Sequence, residues 1–287
     1  MIICILIISA MLNTAPAATP GAGPAEAARA AFEKGNYPAA IKTATDALSE
    51  TPQDAMLHYW ALRSYYEIHD YEKAVLHGEK AVSLEPQNAE YNRWLGRAYG
   101  GKAEESHSFF LARKVKQAFE AAVHLAPTDI PARRDLMEFF AQAPWIVGGD
   151  KQKAKEQIEA ISRMDTIEGH RARGAYFATE KRWKEAEAEY AAVIDSHSRD
   201  VDAYMEAAEF FEKRRDPQQI ERAVEAARRV DSKDPRLAYY SAVSLILRRN
   251  ELQSAEKLLQ TYLASVPERS DYPSHKSAQD WLSRIGR

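Results

Sequence analysis

The sequence predicts an all-α fold, a solenoid of helix–turn–helix repeats closed at its C-terminal end by one extra helix. Three observations carry this. Two segments, "GNYPAAIKTATDALSETPQD" (35–54) and "HDYEKAVLHGEKAVSLEPQN" (69–88), align without gaps at a period of 34 residues, and self-similarity at that period marks a repeat built from a pair of helices. Tyr37 pairs with Tyr71, Ala40 with Ala74, Ala47 with Ala81 and Pro52 with Pro86; the alanines suit positions where paired helices approach closely, and each proline ends a second helix. A Gly or Pro falls in almost every turn, which interrupts the apolar heptads that a long coiled coil would need.

Composition agrees with a packed, soluble chain. Of 287 residues, 45% are hydrophobic and 28% charged, enough for a sizeable core. Formal net charge is −3, so whole-chain electrostatics gives no reason to expect nucleic acid or an anionic membrane as partner.

The elements follow in order. Ile2 to Leu12 is an apolar run of eleven residues followed by Ala15-Pro16-Ala17, the small-x-small pattern that signal peptidase reads. Residues 1–17 are therefore expected to be a secretory signal peptide. The run is shorter than the roughly 20 residues a membrane-spanning helix needs, and its only N-terminal positive charge is the α-amino group. Cys4, the single cysteine, lies inside it and too early for lipoprotein acylation, so cleavage leaves a chain with neither disulfide nor cysteine nucleophile. Residues 18–24 read as a Pro/Gly/Ala linker. Seven units are expected near 21–54, 55–88, 89–129, 130–166, 167–200, 201–235 and 236–269, giving a solenoid over 25–269. The tail, 270–287, reads as a capping helix, with Ser274 as N-cap and Trp281 and Ile285 on one face.

The paired segments, together with "NRWLGRAYG" (92–100) and its Leu95, Gly96 and Tyr99, resemble the tetratricopeptide repeat family over almost all of the expected mature chain. With the leader, the resemblance points to an exported bacterial member. It implies a right-handed superhelix in which the first helix of each pair lines the concave side. It also implies the inward positions: Met56, Tyr59, Trp60, Arg63 and Tyr66 in the second unit, Arg93, Trp94 and Arg97 in the third, Arg134 and Glu138 in the fourth. Trp60 and Trp94 stand two residues from the family's usual core tryptophan, so both are expected to face the groove. The partner-binding set is accordingly Tyr59, Trp60, Arg63, Tyr66, Arg93, Trp94, Arg97 and Arg134, the aromatic and arginine chemistry of binding hot spots. In the sixth unit the inward positions are Asp202, Glu206, Glu209 and Glu212, which suggests a groove basic and aromatic toward the N-terminus and acidic toward the C-terminus. The family's chaperone-tail clamp uses asparagines and lysines at inward positions; here Trp60 and Trp94 stand there, so that activity is not carried over.

Two units exceed the period. From Pro86 to Pro127 is 41 residues, seven more than the repeat, with the surplus placed around "GGKAEESHSFF" (100–110); the fourth unit carries a surplus at "APWIV". Ala143, before a proline, is biased out of the α region and stops a helix; Gly148-Gly149 turns the chain, and Asp150 can cap the next helix. The same connection in consecutive repeats lies on one edge. Trp145, Ile146 and Val147 are therefore expected to pack against Phe109 and Phe110, the alternative being an exposed partner-binding loop.

Catalytic constellations are nearly absent. The sequence holds no GxGxxG, P-loop or HExxH, and no two of its eight histidines stand at i, i+4. "DSHSRD" (195–200) sets Asp, Ser and His side by side, but a triad assembles from separate elements, and the run suits a turn between repeats. The expected function is a non-catalytic scaffold, exported to the periplasm, that binds a peptide or partner protein in the concave groove. The alternative is a transport or envelope-assembly accessory, or an enzyme, holding a small ligand near loops 100–110 and 143–149. No cofactor, metal or nucleic-acid partner is expected, nor a stable membrane span once the leader is removed; the oligomeric state is left open.

Overall fold

The computed structural model describes residues 23–285; the proposed leader and residues 18–22 of the proposed linker lie outside the described residues. Among the described residues the chain forms fifteen α-helices and no strand. Seven helix pairs run α1 (Pro24–Glu33) with α2 (Tyr37–Glu50), α3 (Ala55–Glu67) with α4 (Tyr71–Leu84), α5 (Ala89–Ser106) with α6 (Phe109–Leu125) and α7 (Ile130–Gln142) with α8 (Lys151–Met164). They continue as α9 (Thr166–Thr179) with α10 (Trp183–Ile194), α11 (Val201–Arg214) with α12 (Pro217–Val230) and α13 (Arg236–Leu247) with α14 (Leu252–Ser265), and α15 (His275–Leu282) covers the last pair. Pro24, read from sequence as the end of a linker, is the first residue of α1, where proline's fixed φ and missing N–H cost nothing.

The boundaries follow from short polar side chains. Asp54, Asp70, Asn88, Ser108, Asp129, Asp150 and Asp165 each accept a hydrogen bond from a backbone N–H in the turn that follows, satisfying donors that the helix itself leaves free. Ser274 does the same for α15, which buries Trp281. The odd-numbered helices α1 to α13 pack on one another in succession and form the inner layer; the even-numbered helices lie outside. Ala40, Ala74 and Ala81 are fully buried at the contacts between paired helices, as the repeat register requires.

The third unit departs from expectation. Its surplus is not a loop: α5 continues through Gly100-Gly101 to Ser106, and the chain reverses at His107, in the left-handed region, and Ser108. Gly101 reads as a turn signal, but its role is clearance, because a Cβ there would collide with the Tyr71 ring; the Lys-Ala-Glu-Glu run that follows favours helix. In the fourth unit α7 stops at Ala143 in extended conformation, a 3-10 turn spans Trp145–Val147, and Gly148 takes φ 106° before Asp150 caps α8.

The two ends of the solenoid meet. The backbone N–H and Oγ of Ser270 donate to the Glu67 carboxylate at 3.1 and 3.0 Å, and the Pro267 ring lies against Gly35, whose φ of 71° and lack of a Cβ permit the approach. The C-terminal connection thus touches the second and first units.

Candidate functional site

Most of the aromatic side chains expected to face the groove are buried instead. Tyr59, Trp60 and Trp94 are each less than a tenth exposed. Trp60 packs against Phe32 with ring centroids 5.5 Å apart, Tyr59 stacks on Tyr91 at 5.0 Å, and Trp94 meets Tyr66 edge-on at 5.5 Å. The physical reason is the close approach of neighbouring first helices, which turns inward positions into helix–helix contacts. Arg63 belongs to the same assembly: its guanidinium sits 4.4 Å from the Phe32 ring centre and 4.3 Å from that of Trp94, and Nη1 donates to the Tyr59 hydroxyl at 3.3 Å. Nε is buried without an acceptor, so the ring faces supply much of what stabilises this cation.

Glu90 ties the cluster together. It accepts from the Tyr59 hydroxyl at 3.0 Å, Trp94 Nε1 at 2.8 Å and Arg93 at 2.9 and 3.0 Å. Burial works against its carboxylate, but Arg93 and these donors outweigh burial and hold its pKa below the ordinary value.

Farther along, the expected charge polarity is replaced by pairing across repeats. Arg97 makes a bidentate pair with Asp135 at 2.8 and 2.7 Å. Arg134 on α7 reaches Glu206 on α11 at 2.8 Å, past α9, whose Arg171 bonds the same carboxylate and Glu168. Burial disfavours the Glu206 charge, yet Arg134 and Arg171 pull its pKa down. Asp202 pairs with Arg236 at 2.6 Å, Glu209 with Lys213 at 2.7 Å, and Glu212 accepts from Tyr239 and from the capping helix's Trp281. Most of the inward charges read from sequence are therefore paired locally, and only Arg134 and Glu206 join the expected basic and acidic halves.

Two cavities open on this face. One, about 650 Å³, lies where the third and fourth units exceed the period and is bounded by Tyr66, Arg97, Gly101, Phe119, Phe139 and Val147 among others. The second, about 600 Å³, is lined by Arg97, Arg134 and Arg171 against six carboxylates: Asp135, Glu138, Glu168, Asp200, Asp202 and Glu206. Arg97, Asp135 and Glu138 line both, so the cavities adjoin. Burial raises the Glu138 carboxyl above its ordinary pKa, an effect that Arg134 only partly offsets.

The expected packing of the fourth-unit turn on the start of α6 is also corrected. Only Val147 is buried; Trp145 is 84% exposed, and Ile146, Phe109 and Phe110 are more than half exposed. Val147 points into the first cavity, and the tight turn set by Pro144 and Gly148 aims its two neighbours outward.

Of the expected binding residues, Tyr66, Arg97 and Arg134 line the cavities, whereas Tyr59, Trp60, Arg63, Arg93 and Trp94 build the wall behind them. Asp135, Phe139, Glu168 and Arg171 were missed. A signal was present, since an arginine occurs in the first helix of every unit from the second to the fifth, at 63, 97, 134 and 171.

Comparison with known proteins places this geometry. Residues 26–89 match the tetratricopeptide repeat family model. A thermophilic tetratricopeptide repeat protein of Thermus thermophilus is 20% identical over 66% of this chain and 97% of its own, with a TM-score of 0.54. A tetratricopeptide repeat protein of Parabacteroides merdae is 12% identical over 92% of this chain and 98% of its own, also at 0.54. The human IFIT1 dimer with m7Gppp-AAAA is 17% identical over 84% of this chain and 54% of its own, at 0.55. At these identities the likeness is one of fold. The sequence matches no curated protein. Residues 26–89 thus match the family's repeats, and the same helix-pair fold, that of tetratricopeptide repeat proteins, continues from there to the capping helix.

Proposed function

We propose that the chain is a non-catalytic interaction scaffold, exported to the periplasm, that holds an extended segment of a protein partner along its inner face. The observation that carries this reading is the pair of adjoining cavities sharing Arg97, Asp135 and Glu138: together they form a trough with apolar walls at one end and hydrogen-bonding groups at the other, the chemistry a peptide segment needs. Tyr66, Arg97 and Arg134 contact the segment, and the aromatic wall of Tyr59, Trp60, Arg63, Arg93 and Trp94 keeps them in place. Export is supported by the apolar run at residues 2–12 with its small-residue boundary. The preponderance of carboxylates in the second cavity argues against a nucleic-acid ligand, although one fold neighbour was solved with m7Gppp-AAAA.

The position of the larger cavity favours a second reading. It lies at the turn around His107 and the turn around Pro144, where a small ligand could sit over Val147 and Phe119. One variant tests both. Ala112→Trp fills this cavity from α6, and wild type and variant are compared in pull-downs from the native envelope and by native mass spectrometry. A protein captured by wild type and lost on the variant, with unchanged helix content, supports the scaffold. A co-purifying small molecule lost on the variant supports the second reading. Equal capture by both chains overturns the trough as the site.

A further inference from the structure

Glu138 differs from the five other carboxylates of the second cavity. Arg97 is held by Asp135, Arg134 by Glu206 and Glu168, Arg171 by Glu168, Glu206 and Asp200, and Arg236 by Asp202. Glu138 faces both cavities and makes neither a hydrogen bond nor an ion pair among the described residues. This half-buried carboxylate is left without a protein partner, and it stands where a ligand would pass. On one side the lining is aromatic and aliphatic, with Tyr66, Phe119, Phe139 and Val147; on the other it is six carboxylates against three arginines.

We infer that Glu138 recognises a basic side chain, lysine or arginine, of the bound segment, with an apolar neighbour of that residue seated over Phe119 and Val147. This rests on the reading of the trough as a peptide site. An ammonium or guanidinium group on an aliphatic stem suits both walls: the stem lies along Phe139 and Tyr66, where the rings also attract the cation, and the head meets the free carboxylate. An acidic side chain in the same place would be repelled by Glu138 and would find the nearby arginines already taken. The excess of carboxylates in the second cavity extends the same preference along the trough.

The probe is a random-sequence peptide library displayed on phage and panned against the full chain. Selected sequences should share a lysine or arginine next to an aromatic or branched aliphatic residue, and should lose binding to Ala112→Trp. For a synthetic peptide of that sequence, Glu138→Gln should weaken binding about tenfold, as expected for a lost charge-assisted hydrogen bond. Replacing the peptide's lysine by norleucine should cost the same, and the two changes together little more. Lowering the pH should weaken binding to wild type but not to Glu138→Gln. Glu138→Leu, which removes a half-buried charge that makes no hydrogen bond or ion pair, serves as the folding control and should be about as stable as wild type. If peptides are selected and depend on the cavity but share no basic residue, or if Glu138→Gln changes affinity less than twofold, the role of Glu138 is overturned and the trough stands. If the selected peptides bind Ala112→Trp as well as wild type, both are overturned.

Discussion

Trp94 and Trp145 lie in consecutive repeats and in opposite environments: the first is 5% exposed, the second 84%. Trp94 sits on a first helix that keeps the register of its neighbours, so the adjoining helices close over it and Glu90 takes its indole N–H. Trp145 sits on a turn that exists only because the fourth unit exceeds the period, and no neighbouring repeat supplies a matching surface. In a solenoid each unit is packed by the units beside it. An inward ring in register, such as Trp94, can therefore be closed over by adjoining first helices, whereas Trp145 in the insertion finds no such neighbour. Here the third unit's surplus became helix, and the two surpluses enclose a cavity rather than a satellite core.

Removing the in-register tryptophan should have the largest effect. Trp94→Ala is expected to lower stability by about 3 to 5 kcal/mol, because it empties a buried site and removes a ring that both Glu90 and Arg63 contact. Chemical denaturation measures it. A loss below about 1 kcal/mol would mean that Trp94 is solvent-facing and that the contrast between the two regions is wrong.

The register itself can be tested at a smaller residue. Ala74 is fully buried on α4, and Ala74→Leu should destabilise by about 1 to 3 kcal/mol through overpacking. An unchanged denaturation midpoint would show that α3 and α4 do not approach as closely as the repeat demands.

A third test uses pH and the regular second unit alone. His58 and His77 face each other across α3 and α4 with Nδ1 atoms 2.9 Å apart, and Tyr65 stacks on His77. Burial, with a smaller contribution from His58, depresses the His77 pKa to about 4; burial also lowers that of His58, assisted by Lys80 and opposed by the Pro52 carbonyl and Asp54. A histidine depressed in the folded state favours folding when neutral. That stability is present above the unfolded value of about 6.5 and is lost as pH falls toward 4. His77→Gln should remove a loss of order 1 kcal/mol from this window, since partial solvent access limits the effect. Parallel stability curves for wild type and variant between these pH values would exclude it.

How much could be read from the chain divides along the same line. The alanine register, the helix-stopping prolines and the capping Asp, Asn and Ser residues act over a few residues, so the seven helix pairs and the cap on α15 were legible. The fate of inward side chains was not, because it depends on how closely successive first helices pack and on how far the superhelix curves. No local pattern announces that Arg134 will meet Glu206, 72 residues away. Gly100-Gly101 misled for a related reason: the same residue type serves a turn or a close contact, and only the position of Tyr71 decides.

The smallest expected effect on stability falls on the residue that looks most like core in sequence. Trp145→Ala should change stability by no more than about 0.5 kcal/mol, as for other substitutions of exposed side chains. A double-mutant cycle with Phe110→Ala should be additive, since both side chains stand in solvent. Emission from Trp145, isolated by comparing wild type with the variant, should be that of a water-exposed indole. Partner capture is a separate matter. If the insertion edge flanking the cavity contacts the partner, Trp145→Ala should weaken capture by about 2 kcal/mol or more, the usual cost of truncating an aromatic anchor, with the fold intact. Loss of stability together with blue-shifted emission would instead return Trp145 to the core and erase the difference between the two tryptophans.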